Sequence, residues 1–321
     1  MGPPFAAASW LALWRALRGG DLAAGPQGGA DDRHGDNDPN DGKETGVTST
    51  DMKISTDMKT STEKMIARKD GAIGWMLFNN PARHNAVSVS MWQAVPEIIE
   101  AFAKDDEVRV VVVAGVGGKA FVSGADISEF GEKRHSREAT LAYNEMVERA
   151  SQALLACRKP TIAMIQGYCI GGGLAISLCC DLRIASDDAR FGVPAAKLGL
   201  GYAYPGIKRL ADLVGPSYAK EIFFTARQFD PSEAWHMGLI NRIQPGAELE
   251  AYVRGYAATI AGNAPLTIEA VKLCVDAYVK DPDRRDLAAC QAAVDRCFVS
   301  ADYVEGRTAF MEKRKPVFKG A

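Results

Sequence analysis

The chain has 321 residues, 47% hydrophobic and 24% charged, so it can bury a large core and is not fibrous or broadly disordered. Its net charge is −2, and residues 58–321 are close to neutral with 33 basic and 31 acidic residues, which argues against a nucleic-acid-binding surface. No uncharged apolar run reaches the roughly 18 residues of a membrane-spanning helix, so we expect no membrane partner.

Residues 1–57 differ in composition from the rest of the chain. A short apolar stretch precedes a Gly-, Asp- and Asn-rich run over residues 19–46, which cannot bury a core. We therefore expect residues 1–57 to be disordered or to be an over-extended start. A short targeting helix is the alternative, although Arg15 and Arg18 follow the apolar stretch, whereas a secretory signal carries its positive charge first.

From Met65 to residue 246, predicted strands and helices alternate, which is typical of an α/β fold. Apolar or β-branched runs predict buried strands, and apolar residues at helical spacing predict amphipathic helices. The predicted strands are 73–78, 108–114, 161–166 and 182–185, and the predicted helices include 89–103 and 136–156. We expect these elements to form the core domain.

Residues 247–321 are predicted to be almost entirely helical. Short breaks containing Pro, Asn or Asp separate predicted helices at 248–261, 265–279, 284–299 and 302–313. Such a block either packs on the first region or builds an oligomer. The second helix has an apolar face that we expect to be buried, formed by Ala270, Val271, Cys274, Val275 and Tyr278.

The cysteines and histidines predict neither disulfides nor a metal site. The seven cysteines are scattered and never spaced as CxxC, and the four histidines form no ligand pattern. We therefore expect reduced thiols, a cytoplasmic location and no metal.

Two segments that follow predicted strands carry backbone N–H groups suited to chemistry. In residues 119–127, Gly124 and Ala125 can turn the chain so that an N–H faces a cleft, and Asp126 can cap a helix. In residues 166–173, three glycines open a helix and leave N–H groups unobstructed by Cβ atoms. One N–H from each segment can bind a thioester oxygen as it becomes an enolate, at about 3 kcal/mol per donor. Taken alone, the three glycines favour close packing over such a role.

Four motifs occur in the order and at the spacing of one known superfamily. They are Asn-Pro-Ala-Arg-His-Asn-Ala at 80–86, Phe-Val-Ser-Gly-Ala-Asp-Ile at 121–127, Gly-Tyr-Cys-Ile-Gly-Gly-Gly-Leu at 167–174 and Cys-Asp-Leu-Arg-Ile-Ala at 180–185. From Met65 onward the chain resembles the crotonase (enoyl-CoA hydratase/isomerase) superfamily. The resemblance implies an α/β fold, a crotonase-like ββα spiral with a helical C-terminal trimerisation region, assembled as a homotrimer or a dimer of trimers.

The same resemblance implies an acyl-CoA substrate, with coenzyme A entering as part of the substrate and no separate cofactor. It assigns the oxyanion-hole N–H groups to Ala125 and Gly172. His84 is expected to border the CoA pocket or to lie at the surface of a turn. The residues assigned to CoA or substrate binding are Arg83, Asn85, Ala86, Ala125, Asp126, Ile127 and Gly172.

The two glutamates that a hydratase of this superfamily uses are missing, because their positions hold Ala175 and Ala195. Hydration needs one group to take a proton from water and another to give a proton to the α-carbon, and alanine does neither. Lys197, Tyr202 and Tyr204 lie nearby in sequence. We expect Lys197 to be a solvated surface residue, whereas a tyrosine at neutral pH suits orientation or protonation more than proton abstraction.

Residues 198–206, 220–226 and 302–316 resemble methylmalonyl-CoA decarboxylase, in which the tyrosine corresponding to Tyr202 serves the active site. That enzyme has a histidine at the position of Ala125. A malonyl-type thioester that loses CO₂ generates its own enolate and needs no protein base. We therefore predict that Ala125, Gly172 and Tyr202 catalyse decarboxylation of a malonyl-type CoA thioester.

Two alternatives stay open. The protein can be an enoyl-CoA hydratase or isomerase with a non-standard base, for which Asp126 and Glu129 are candidates, or a non-catalytic acyl-CoA-binding protein. A nicotinamide-binding site at residues 115–118 is disfavoured, since position 120 is alanine instead of the last glycine of GxGxxG and no helix follows.

Overall fold

The structure is a computed structural model that describes residues 56–129 and 136–321. Apart from Thr56 and Asp57, the N-terminal segment predicted to be disordered or over-extended lies outside these ranges. Thr56 and Asp57 belong to the first strand, which pairs with residues 67–69. The sheet therefore begins before Met65, the predicted start of the core.

Ten strands lie within the described residues. They are β1 (Thr56–Met58), β2 (Met65–Asp70), β3 (Ile73–Phe78), β4 (Val110–Gly115), β5 (Ala120–Val122), β6 (Thr161–Ile165), β7 (Tyr168–Ile170), β8 (Leu182–Ser186), β9 (Arg190–Gly192) and β10 (Arg242–Gln244). The larger sheet has the order β1-β2-β3-β4-β6-β8-β10, with antiparallel pairing from β1 to β3 and parallel pairing beyond. The smaller sheet has the order β5-β7-β9 and is parallel.

The chain builds both sheets by one repeated step. Each of β4, β6 and β8 in the larger sheet is followed directly by β5, β7 and β9 in the smaller sheet. The predicted ββα spiral is thereby confirmed. Because β5, β7 and β9 are parallel neighbours, their carboxyl ends meet at one edge of the smaller sheet, where an α/β protein commonly binds its ligand. The turns that follow them contain Ala125, Gly172 and Ala195.

Nine α-helices lie in the described part of the chain. They are α1 (Val89–Lys104), α2 (Arg137–Leu155), α3 (Gly172–Ser177), α4 (Tyr204–Thr225), α5 (Pro231–His236), α6 (Leu249–Ala261), α7 (Pro265–Tyr278), α8 (Leu287–Phe298) and α9 (Ala301–Met311). Helix α4 is interrupted at Gly215, which has a φ of 79° and precedes Pro216. No helix of residues 56–129 or 136–321 is long and apolar enough to cross a membrane.

Helix α1 shows how sequence periodicity becomes core packing. Its buried residues Met91, Trp92, Val95, Ile98 and Ile99 recur at spacings of three and four, so they share one face. Burial of each large apolar side chain contributes about 1.5–3 kcal/mol to folding. Trp92 also connects α1 to α2, because its Nε1 donates a hydrogen bond to the Tyr143 hydroxyl of α2 at 3.1 Å.

The C-terminal block is helical as predicted, and within the single chain most of the predicted apolar face of α7 is exposed. Val271, Val275 and Tyr278 are 58%, 56% and 75% exposed, while Ala270 is buried. Helix α7 packs on α8, and its buried residues Ala270 and Ala277 are two helical turns apart and so share one side of the helix. The apolar periodicity identified a shared face correctly, but periodicity does not say which element covers that face.

Candidate active site

A cavity of about 240 Å³ opens at the carboxyl-end edge of the smaller sheet. Its wall is formed by the turns after β5, β7 and β9, by one face of α2 and by the loop that enters α4. The lining residues central to the chemistry are Ala125, Gly172, Ala175, Ala195 and Tyr202. The structure therefore brings all three predicted catalytic residues into one pocket, together with both alanines at the missing-glutamate positions.

The two predicted oxyanion donors are neighbours in space. A Cβ atom built on Gly172 would lie 3.6 Å from the backbone nitrogen of Ala125. Neither N–H donates to another backbone group among the described residues, because Ala125 follows the β5 strand and Gly172 opens α3. Each donor follows a glycine with positive φ, 124° at Gly124 and 53° at Gly171, which explains why glycine suits these turns. Binding of an oxyanion by this pair stays a prediction.

The third glycine of the run has a different task. A Cβ atom on Gly173 would lie 2.1 Å from the carbonyl oxygen of Val122, so only glycine lets α3 approach β5 this closely. The packing interpretation of the glycine run is thus confirmed at Gly173. It coexists with the donor position at Gly172.

Of the neighbouring residues that were candidates to replace the glutamates, Tyr202 lines the pocket. Its ring packs edge-to-face on Phe223 with centroids 4.9 Å apart, which holds the tyrosine against α4. Tyr204 is 70% exposed at the start of α4, and Lys197 is exposed, as expected for a surface lysine. Neither Lys197 nor Tyr204 lines the cavity.

Two charged pocket residues were missed by the sequence reasoning. Glu148 of α2 and Arg209 of α4 line the cavity, and Arg209 Nη2 lies 3.4 Å from Glu148 Oε2. The other carboxylate oxygen, Oε1, accepts a hydrogen bond from Gln152 Nε2 at 2.6 Å. Spacings of three and four from Asn144 through Glu148 mark one face of α2, but no motif indicates that this face meets the glycine turns.

Asp126 and Glu129, which were possible alternative bases, are both engaged in holding the fold. The Asp126 carboxylate accepts hydrogen bonds from the Ser128 hydroxyl at 2.6 Å and from Arg83 Nη1 at 3.1 Å. These contacts, led by the bond from Ser128, hold the pKa of Asp126 below its usual value. Glu129 accepts a hydrogen bond from the Val89 N–H that begins α1. Neither carboxylate lines the pocket, so the structure does not favour either one as base.

The proposed CoA-contacting turn is held by Asn85. This side chain is fully buried, with Nδ2 donating to the carbonyls of Val116 and Ala120 at 3.0 and 2.8 Å. Its Oδ1 accepts a hydrogen bond from the Asn80 N–H. Asn85 therefore holds the turn with a side chain that is enclosed by the fold, and its contact with CoA stays a prediction.

The other residues assigned to CoA stay predictions. Arg83 is exposed and Ala86 is half-buried on the same turn, and the side chain of Ile127 lies outside the described atoms. His84 is exposed with a positive φ of 50°, as expected for a residue at the surface of a turn. Within the described ranges no group of three or more His, Cys, Asp and Glu side chains is arranged to hold a metal ion.

Comparison with known families agrees with this geometry. The family model for enoyl-CoA hydratase/isomerase matches residues 68–321. The chain belongs to this family. It is 34% identical over 253 residues to the short-chain-enoyl-CoA hydratase of Clostridium acetobutylicum, covering 78% of this chain and 95% of that relative. It is 32% identical over 256 residues to the crotonyl-CoA hydratase of Syntrophomonas wolfei, covering 80% and 98%.

Solved structures of the family have the same fold. The enoyl-CoA hydratase/carnithine racemase from Magnetospirillum magneticum superposes with a TM-score of 0.76 at 36% identity, covering 82% of this chain and 97% of that one. The enoyl-CoA hydratase from Bacillus anthracis gives a TM-score of 0.76 at 28% identity, covering 81% and 100%. The resemblance to the crotonase superfamily is confirmed. The protein is therefore an enzyme of a family that acts on CoA thioesters. The resemblance to methylmalonyl-CoA decarboxylase is not shown by these comparisons.

Proposed function

We propose that this enzyme decarboxylates a malonyl-type CoA thioester and stabilises the resulting enolate with the N–H groups of Ala125 and Gly172. The observation that carries the proposal is the presence of Ala175 and Ala195 in the wall of the same cavity as those two donors. A pocket that stabilises an enolate but lacks both glutamates of a hydratase suits a substrate that forms its enolate without a protein base.

The reaction needs little from the protein beyond oxygen stabilisation and a proton. The bond between the α-carbon and the carboxylate breaks, and its electron pair passes into the thioester as an enolate while CO₂ leaves. Two N–H donors aimed at the developing oxyanion lower the barrier by about 3 kcal/mol each. A proton then adds to the α-carbon. Tyr202 lines the pocket, and we assign to its hydroxyl the delivery or orientation of this proton.

The alanines also remove an electrostatic obstacle. Two negative charges 4 Å apart repel each other by about 4 kcal/mol at the effective dielectric constant of a protein surface. Glutamates at positions 175 and 195 would therefore oppose a substrate carboxylate. Alanine at both positions leaves these two parts of the pocket wall small and without a negative charge.

The first experiment compares two substrates of the purified protein. We expect release of CO₂ from methylmalonyl-CoA and no loss of the conjugated double bond of crotonyl-CoA. Replacement of Tyr202 by phenylalanine should lower decarboxylation at least about tenfold. Tyr204→Phe is the matched control, because Tyr204 is exposed outside the cavity and its hydroxyl should not matter. Efficient hydration of crotonyl-CoA, or equal turnover by Tyr202→Phe and wild type, would contradict the proposal.

A second candidate is hydration or isomerisation of an enoyl-CoA with Glu148 as the base. It is favoured by the carboxylate of Glu148 in the cavity wall and by the hydratase names of the two curated relatives. In that case crotonyl-CoA is consumed by wild type, and Glu148→Gln loses nearly all of this activity while it still binds the thioester. Binding of CoA thioesters without turnover of either substrate would instead favour a binding protein.

A further inference from the structure

The wall of the cavity contains one pair of opposite charges. Among the described residues that line it, Glu148 and Arg209 are the charged ones. They are 61 residues apart in sequence and come from α2 and α4. The side chains are 41% and 18% exposed, so the guanidinium is the more enclosed partner.

The contact between them leaves much of the guanidinium unused. Arginine carries several N–H donors in a planar fork that matches a carboxylate with two parallel hydrogen bonds. Within the described residues, Arg209 makes one hydrogen bond, from Nη2 to Glu148 Oε2, and its length of 3.4 Å is well beyond that of a strong charged hydrogen bond. Glu148 is meanwhile held by Gln152 at its other oxygen. The guanidinium can therefore accept a better-placed carboxylate.

Arg209 is also next to the residues that distinguish this pocket. A second small cavity adjoins the first, and Ala175, Tyr202 and Arg209 line both. Arg209 consequently shares the walls of both cavities with one of the alanines that replace glutamate. An anionic group that fills the space left by the missing side chain at position 175 would find a positive charge close by.

We propose that Arg209 is a specificity-determining residue that binds a carboxylate on the acyl group of the substrate, releasing Glu148 as it does so. The choice of a malonyl-type CoA thioester as the substrate rests on the proposed function. Arg209 exchanges the Glu148 carboxylate for that of the substrate, so the net gain in ground-state binding is small. A large gain would slow the reaction, because it would be lost when CO₂ leaves. Glu148 returns to the guanidinium once the substrate carboxylate has left.

Binding of matched acyl-CoA pairs tests this role without any turnover. Succinyl-CoA and butyryl-CoA have the same number of acyl carbons, as do glutaryl-CoA and pentanoyl-CoA, and the first of each pair ends in a carboxylate. Calorimetric titration of wild type should show that at least one anionic thioester binds about tenfold more tightly than its neutral counterpart. Arg209→Met should abolish this preference while the affinity for the neutral thioesters changes less than about twofold.

Two further variants separate recognition from a structural effect. Arg149→Met removes the same charge from an exposed position on α2 outside the cavity, and it should keep the preference. Glu148→Gln removes the competing carboxylate and should strengthen binding of the anionic thioesters. The proposal would be overturned if wild type bound both members of each pair equally. It would also be overturned if Arg209→Met lost affinity for the anionic and the neutral thioesters to the same extent. A preference for anionic thioesters without CO₂ release from methylmalonyl-CoA would instead refute decarboxylation and leave the role of Arg209 standing.

Discussion

The edge of the smaller sheet and the C-terminal helices differ in how much of their apolar surface is packed within the single chain. At the sheet edge, the turns after β5, β7 and β9 are packed by the chain itself, to the point that Gly173 leaves no room for a side chain. Along α7 to α9, by contrast, large apolar side chains such as Tyr278, Val299 and Met311 are exposed. Contiguous exposed apolar surface marks an interaction site in most proteins. The sheet edge is thus packed within the chain itself, whereas we predict that the exposed apolar side chains of α7 to α9 contact another copy of the chain.

The largest effect on stability should come from adding a methyl group where α3 lies closest to β5. In Gly173→Ala, the new methyl group would meet the Val122 carbonyl oxygen, and we expect a loss of about 3 kcal/mol in the free energy of unfolding. Gly255→Ala is the control, because a Cβ atom at this α6 position meets no atom within 4 Å and alanine is the better helix former. Urea unfolding of both variants measures the difference, and equal stability would contradict the packing role of Gly173.

Charges on the exposed face of α7 should break the oligomer and spare the fold. We expect light scattering coupled to size-exclusion chromatography to give the mass of a trimer or of two trimers for the wild type. The double variant Val275→Glu with Tyr278→Glu should run as a single chain, since carboxylates cannot be buried there without partners.

The control for that variant is Thr259→Glu, which adds one negative charge at an exposed position of α6. It should keep the mass of the wild type. A wild type that is monomeric at micromolar concentration, or a double variant that stays assembled, would show that the exposed face of α7 serves another purpose.

The smallest effect on stability should come from the ion pair between Glu305 and Arg314, near the C-terminus. The Arg314 guanidinium and the Val317 N–H lower the pKa of Glu305 from 4.5 to about 2. Since the pKa is lowered in the folded state, the stabilisation is fully present above pH 4.5 and is lost as the pH falls toward about 2. The effect should be small because exposed ion pairs contribute little.

Thermal unfolding at pH 7 and pH 3 tests this ion pair. Glu305→Gln should lower the midpoint slightly at pH 7 and less at pH 3, so that the variant and the wild type converge in acid. Glu63→Gln changes an exposed glutamate that forms no ion pair among the described residues, and it should show no such convergence. A constant difference between Glu305→Gln and wild type at both pH values would contradict the assignment.

Local patterns predicted much of the fold because they depend on neighbouring residues. The strand at 73–78 was predicted with its observed bounds, and the helix at 89–103 ends one residue later than predicted. The glycine turns were identified for a similar reason: an N–H can be exposed after a strand only where the backbone permits it, and Gly124 and Gly171 do so at positive φ. The family followed from the order and spacing of these motifs.

Only the tertiary structure decided which side chains meet. It enclosed Asn85 in hydrogen bonds with residues more than 30 positions away, placed Glu148 opposite Arg209, and turned Val275 outward. Periodicity and motifs report which residues share a face or a turn, because those relations are set by the local geometry of helices and strands. What covers a face, and which distant charge a carboxylate encounters, depends on how those elements pack, and that information is spread over the whole chain.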